Sequence, residues 1–285
     1  MADDEKTPPL AYLNDEFLNT PDARVLRIAA EYLEPAARLR HQHIRDTIVV
    51  FGSARSLPPE EAQGALERAL EAERASESPS LELKAAVTLA QYGTKLSRYY
   101  QDSLELSRRL TEWSNNLTGN RHFVICSGGS GGMMEAANRG AAAAGGKTIG
   151  LNIKLPAEQS VNPYVSPELV FNFHYFFMRK FWFIYPAKAL IAFPGGFGTV
   201  DELFEVLTLI QTKMPRKVMP VVLFGAPYWD EMKNFDAMVR WGVISPADLN
   251  TFYKTDSVDE AFTYLTETLE RMYLTPQGLD EVKLT

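Results

Sequence analysis

The 285-residue chain has a single cysteine, Cys126, so no intrachain disulfide can form and no cysteine-built zinc cage is available. Positive charge is not in excess either. The chain carries 29 Lys and Arg against 36 Asp and Glu, a net charge of −7, which argues against a broad phosphate-backbone footprint for DNA or RNA. A small anionic ligand is untouched by that argument, because a few backbone N–H groups and local cations suffice for one. No run of about 20 mostly apolar residues is present to span a bilayer. The most apolar region, 171–193, is interrupted by His174, Arg179, Lys180, Pro186 and Lys188. The opening MADDEKTPPL is acidic and lacks the apolar core of a secretory leader, so the expected compartment is the cytoplasm. There is no internal repeat and no low-complexity tract.

What is present is an ordinary globular composition, with 46% hydrophobic and 23% charged residues, at a length that fits one large core. Residues 1–45 read as a helical arm. Thr20 and Pro21 are its N-cap and first residue, Val25, Leu26, Ala29 and Leu33 form an apolar stripe, and Pro35 ends or restarts the helix. Residues 46–274 read as a single Rossmann-like nucleotide-binding domain, and 275–285 as a tail. The domain opens on Thr47-Ile-Val-Val-Phe51, a buried parallel strand. Residues 58–117 are a helical excursion broken at Ser76-Glu-Ser-Pro-Ser80. Beyond it, apolar runs at 123–126, 148–152, 170–173, 189–193 and 219–224 alternate with helical patterns at 132–144, up to 185, and at 200–213, 228–241 and 258–273. The alternation predicts an α/β fold, a doubly wound parallel sheet with helices on both faces and a ligand at the carboxyl ends of the strands.

Two glycine clusters lie where such a ligand would. Pro194-Gly-Gly-Phe-Gly-Thr-Val-Asp-Glu202 joins a strand to a helix, and glycines there let the backbone approach a phosphate while the helix start supplies N–H groups. The bland alternative is a tight turn with a capping box, since Thr199 and Glu202 have the required spacing. Ser127-Gly-Gly-Ser-Gly-Gly132 makes a similar link. A dinucleotide fingerprint fails there because Met134 replaces the third glycine. A nucleophile elbow at Gly128-x-Ser130-x-Gly132 has no Asp between residues 131 and 173 and only His174 after it, so a triad is not expected. Gly146-Lys147-Thr148 lacks the first glycine of a P-loop, with Ala141 in its place.

Nine aromatics crowd residues 171–185 around Met178-Arg179-Lys180, and most suit a core or a subunit interface. Two cations in an apolar helix call for anionic partners; snorkelling to solvent is the alternative, more so for Lys180. Asp201, Glu202 and Glu205 would repel one another unless a cation stands between them, and Arg179 is the expected one. His41 and His43 have no further ligands nearby, so no metal site is expected.

Taken together, Phe51-Gly-Ser-Ala-Arg55, Ser127-Gly-Gly-Ser-Gly-Gly-Met-Met-Glu135-Ala-Ala-Asn138, Leu155-Pro-x-Glu158-Gln159, Met178-Arg-Lys180 and the loop from Pro194 to Glu202 resemble the LOG (Lonely guy) family. These are cytokinin nucleoside 5′-monophosphate phosphoribohydrolases, and their bacterial relatives are often labelled lysine decarboxylases. The resemblance runs over about residues 20–273, and the long arm and excursion are similar to its enlarged bacterial group. Nothing resembles a pyridoxal-phosphate lysine site. The resemblance implies hydrolysis of the N-glycosidic bond of AMP or an N6-modified AMP, with Arg179 and Glu202 catalytic and no cofactor. It places the nucleotide on Gly195, Gly196, Gly198, Thr199, Lys180, Ser53, Gly129, Ser130, Gly131, Met134, Glu135 and Glu158. It further implies a homodimer or higher homo-oligomer with the site near the interface. A nucleotide sensor without turnover, or a molybdenum-cofactor carrier, is the alternative that the same resemblance reaches.

Overall fold

The run Thr47–Phe51 forms β1, and all five of its residues are buried, because both faces of the sheet around it are covered by helices. The computed structural model describes residues 8–117, 122–154, 160–212 and 219–275. Within them the strands are β1, β2 (Val124–Ser127), β3 (Thr148–Ile153), β4 (Val170–Phe173), β5 (Ala187–Ala192), β6 (Val221–Phe224) and β7 (Tyr253–Thr255). All pair in parallel, in the order β4-β3-β2-β1-β5-β6-β7. The helices are α1 (Asp15–Leu18), α2 (Arg24–His41), α3 (Pro59–Arg74), α4 (Leu81–Asn115), α5 (Met133–Ala143), α6 (Phe176–Ile184), α7 (Phe197–Gln211), α8 (Ala226–Met232), α9 (Phe235–Arg240) and α10 (Val258–Leu269).

Alternation along β1 assigns the layers. Ile48 and Val50 join Ile125, Ile191 and Val222 beneath α4, α5 and α10. Val49 and Phe51 join Leu151 and Leu190 beneath α2, α6 and α7, the last contributing Leu203. This is the doubly wound α/β sheet that the alternating pattern predicts. The chain runs outward from β1 to β4 and then returns to β5 on the other side of β1, so the topological switch lies at β1. Ligands in such sheets bind at that point, beyond the carboxyl ends of the strands.

Several local expectations are corrected. Pro35 neither ends nor restarts a helix but sits buried inside the continuous α2. A helical proline has no N–H for the carbonyl four residues back; here that carbonyl, Glu31 O, accepts the Trp182 indole N–H at 2.9 Å. The stripe on the arm faces outward, with Val25, Leu26 and Leu33 each more than half exposed. The face that packs inward is instead Ile28, Pro35, Ala36 and Leu39. Residues 228–241 are two helices, because Lys233 is extended and the Asn234 side chain accepts the Ala237 N–H at 2.9 Å to start α9. Strand β7 is an addition: three residues at the sheet edge, too short and polar to register as an apolar run. No helix among the described residues is long and apolar enough to cross a membrane.

Candidate active site

Three loops meet at the carboxyl edge around β1. The loop after β1 ties the other two together: Ser53 donates its N–H to Pro194 O (2.9 Å), and its carbonyl accepts the Met133 N–H (3.0 Å). The Ser53 hydroxyl accepts from the Arg55 N–H at 3.1 Å.

The loop after β2 is built on buried side chains. Ser127 Oγ accepts the Gly129 N–H (3.0 Å) and donates to Asn138 Oδ1 (2.7 Å). Asn138 Nδ2 in turn donates to Thr148 Oγ1, at the start of β3. Asn162 closes the network from the far side. Its Nδ2 reaches Gly129 O (3.1 Å), Ser130 O (3.0 Å) and Asn138 Oδ1 (2.9 Å), and its N–H reaches Gly129 O at 2.8 Å. A buried amide whose bonds are all made rigidifies what it holds. Asn162 is absent from the sequence-derived site, although the Asn162-Pro163 dipeptide is a turn signal that pointed to it. Of the predicted residues on this loop, Gly129, Ser130 and Gly131 lie along its path, and Met134 approaches Gly128. The Glu135 carboxylate accepts the Tyr100 hydroxyl of α4 at 3.0 Å, away from the loop. Glu158 lies outside the described residues.

Arg179, on α6, passes beneath this loop. Its Nε donates to Leu151 O at 2.7 Å, and its guanidinium lies 4.9 Å from the Phe183 ring centroid. A methyl group on Gly128 would stand 2.7 Å from Arg179 Nη2 and from Met134 Sδ, so glycine there is what lets the cation in. Burial lowers the Arg179 pKa, the Glu202 charge opposing it; an arginine in this setting stays protonated.

The loop after β5 differs from its expected form. Helix α7 starts at Phe197 with Gly196 as N-cap, and no side chain caps it. Thr199 and Glu202 therefore sit within the helix and do not form a capping box. The N–H groups of Phe197, Gly198 and Thr199 precede the first intrahelical bond, from Val200 N to Gly196 O (3.1 Å). They point out of the helix start, where an anion is favoured. Gly196 and Gly198 are exposed with open space around them, whereas a methyl on Gly195 would fall 2.2 Å from Thr199 Oγ1.

Glu202 is 6% exposed, and its Oε2 has no hydrogen-bond partner among the described residues. Burial, helped by Glu205 and Asp201 and opposed by Lys180 and Arg179, pushes its pKa up to about 7. Near neutral pH this carboxyl can therefore both take and give a proton. The cation between the neighbouring acids is Lys180, which reaches Asp201 at 2.9 Å and Glu205 at 2.7 Å. Arg179, expected in that place, has its own anchor at Leu151. Among the described residues no group of three His, Cys, Asp or Glu side chains could hold a metal ion. Two cavities, about 270 and 330 Å³, lie elsewhere: at the amino ends of β2 and β3, and between α2 and β4.

The family described as "Possible lysine decarboxylase" matches residues 134–265. The chain is 29% identical over 180 residues to the rice (Oryza sativa subsp. japonica) "Probable cytokinin riboside 5′-monophosphate phosphoribohydrolase LOG4", covering 62% of this chain and 74% of that one. It is 30% identical over 183 residues to "Cytokinin riboside 5′-monophosphate phosphoribohydrolase LOG1" of Arabidopsis thaliana, covering 63% and 80%. Among solved structures it is similar to the molybdenum cofactor binding protein of Rippkaea orientalis, at 16% identity and a TM-score of 0.46 over 79% of this chain and 99% of that one.

Proposed function

The chain belongs to the LOG family, and from that premise we propose that it hydrolyses the N-glycosidic bond of AMP or an N6-modified AMP. Water supplies its hydroxyl to C1′ and a proton to the departing base, so the products are ribose 5-phosphate and free base. One observation carries the reading: a buried carboxyl with an unpartnered oxygen and a pKa of about 7, Glu202, stands behind an open glycine loop.

The transition state is oxocarbenium-like, so a carboxylate near C1′ offsets developing positive charge and accepts a proton from water. That is the role of Glu202. Arg179 balances the negative charge of Glu202 and of the bound phosphate, and the first-turn N–H groups of α7 with Gly195, Gly196, Gly198 and Thr199 receive the 5′-phosphate. Ser53 and the Gly129–Met134 stretch border the ribose and base. The reaction needs no cofactor. A homodimer fits the outward apolar side chains Val25, Leu26, Phe176, Phe177 and Tyr185, all more than half exposed.

The test is to incubate the purified protein with AMP, GMP, CMP, UMP and N6-isopentenyl-AMP, quantify released base, and run Glu202→Gln in parallel. Wild type should release adenine-type bases, and the variant should lose on the order of 100-fold or more in turnover with its melting temperature retained. Equal release by the variant would remove Glu202 from the chemistry. Binding of AMP without release by wild type would overturn hydrolysis in favour of a binding protein.

A further inference from the structure

Helix α6 carries both Arg179 and Lys180, yet it does not cap itself: its N-cap is Tyr175, whose side chain accepts nothing from the first turn. The two residues leading into it are held from the arm. Glu31, midway along α2, takes the His174 N–H on Oε1 at 2.7 Å and the Tyr175 N–H on Oε2 at 3.3 Å. A carboxylate at a helix N-terminus also meets the positive end of the helix dipole. The same residue's carbonyl, left without its helical donor by Pro35, takes the Trp182 indole N–H at 2.9 Å. One residue thus grips α6 at its start and near its end.

The neighbours of Glu31 on α2 extend the grip. The Tyr32 ring packs 5.5 Å from Phe181 and 6.0 Å from Trp182. Arg38, paired with Glu34, donates to Val170 O of β4 and lies 4.4 Å above the Phe171 ring. Between these holds, α6 sends Arg179 to Leu151 and Lys180 to Asp201 and Glu205. The sequence around Glu31 is an ordinary exposed-looking helix and carries no motif, so only the fold brings it to α6.

We propose that Glu31 is a positioning residue of the active site: acting through the His174 and Tyr175 N–H groups that lead into α6 and through the Trp182 indole, it fixes where Arg179 and Lys180 stand relative to Glu202. Its consequence for turnover rests on the phosphoribohydrolase reading, whereas the grip on α6 does not.

Two measurements on the full chain separate these. Amide exchange over 174–184, followed without nucleotide, should quicken in Glu31→Ala and less so in Glu31→Gln, which keeps one of the two acceptor oxygens and loses the charge. Base release from AMP should lose about tenfold or more in kcat in Glu31→Ala, within the ~100-fold that an ångström of misplacement can cost, with KM little changed and Glu31→Gln restoring part of it. Arg38→Met loosens the arm on β4 without touching α6 and should lower the melting temperature while sparing kcat.

Wild-type exchange over α6 in Glu31→Ala would overturn the proposal. So would quickened exchange with undiminished kcat, or a kcat loss in Arg38→Met equal to that in Glu31→Ala at matched stability. If wild type releases no base, the hydrolase reading falls, and the exchange data alone decide the grip.

Discussion

In the loop after β2, Gly129 and Gly132 stand at φ of +73° and +68°, and backbone closes on both: a methyl on Gly132 would meet Ser53 O at 2.2 Å, and one on Gly129 would meet Gly150 Cα at 3.1 Å. In the loop after β5, Gly196 has an ordinary φ of −82°, and neither it nor Gly198 has any atom within 4 Å of where a methyl would go. Both loops flank β1, and both are glycine-rich. The first needs glycine because the protein's own backbone leaves no alternative. The second has glycine where the protein leaves space, which is how a backbone meets a ligand. The buried amide of Asn162 and the hydroxyl of Ser127 serve the first loop; among the described residues no side chain holds Gly196 or Gly198 in that way. The first loop makes room for Arg179, and the second leaves open space next to the helix that carries Glu202.

The sharpest way to break that distinction is Gly132→Ala. The methyl must displace backbone at Ser53 and Ala54 and also take up a left-handed conformation, together costing on the order of 3 to 6 kcal/mol. Thermal or denaturant unfolding of the variant should show most of the fold's stability gone. A variant within 1 kcal/mol of wild type would mean that the loop is free to rearrange. The next effect belongs to the other loop's helix. Because the folded pKa of Glu202, about 7, lies above the ordinary 4.5, folding is favoured by holding its proton. That contribution is full below about pH 4.5 and is lost as pH rises through about 7. Glu202→Gln cannot ionise, so its stability advantage over wild type should grow between pH 5 and pH 8, by up to about 3 kcal/mol. A difference independent of pH would show that Glu202 is not the buried acid the geometry makes it.

The sheet and its helices were legible because they depend on local pattern: β1, α3, α4 and α5 follow from apolar runs, a Ser-Pro break and alternation. The two glycine loops were legible as loops, but their opposite uses were not, since Gly-Gly reads the same whether a carbonyl or open space faces it. The spacing of Thr199 and Glu202 suggested a capping box, and only the start of α7 at Phe197 sets that aside. Arg179 and Lys180 are adjacent in sequence, and nothing local shows which of them meets the acids of α7; the roll of α6 against β3 and α7 decides it. Glu31 carries no motif, and the turn signal at Asn162-Pro163 says nothing of what the Asn162 side chain holds. The two side chains act across 143 and 33 residues of chain, a separation at which residue type and spacing stop being informative.

The smallest effect on stability should come from Gly198→Ala, and it tests the second half of the comparison most directly. Gly198 is the second residue of α7, exposed, with open space beside it. Alanine is the better helix former, so the melting temperature should hold or rise, by an amount worth up to about 1 kcal/mol. If the open space is where a phosphate approaches the first-turn N–H groups, the added methyl occupies part of it. AMP affinity, measured by calorimetric titration, should then fall by about tenfold, equivalent to ~1.4 kcal/mol. The opposite signs matter more than either size, because a variant that is more stable and binds less well cannot be explained by damage to the fold. Affinity equal to wild type would mean that the space beside Gly198 is simply solvent, and the phosphate would have to be sought nearer Ser53 and the first loop.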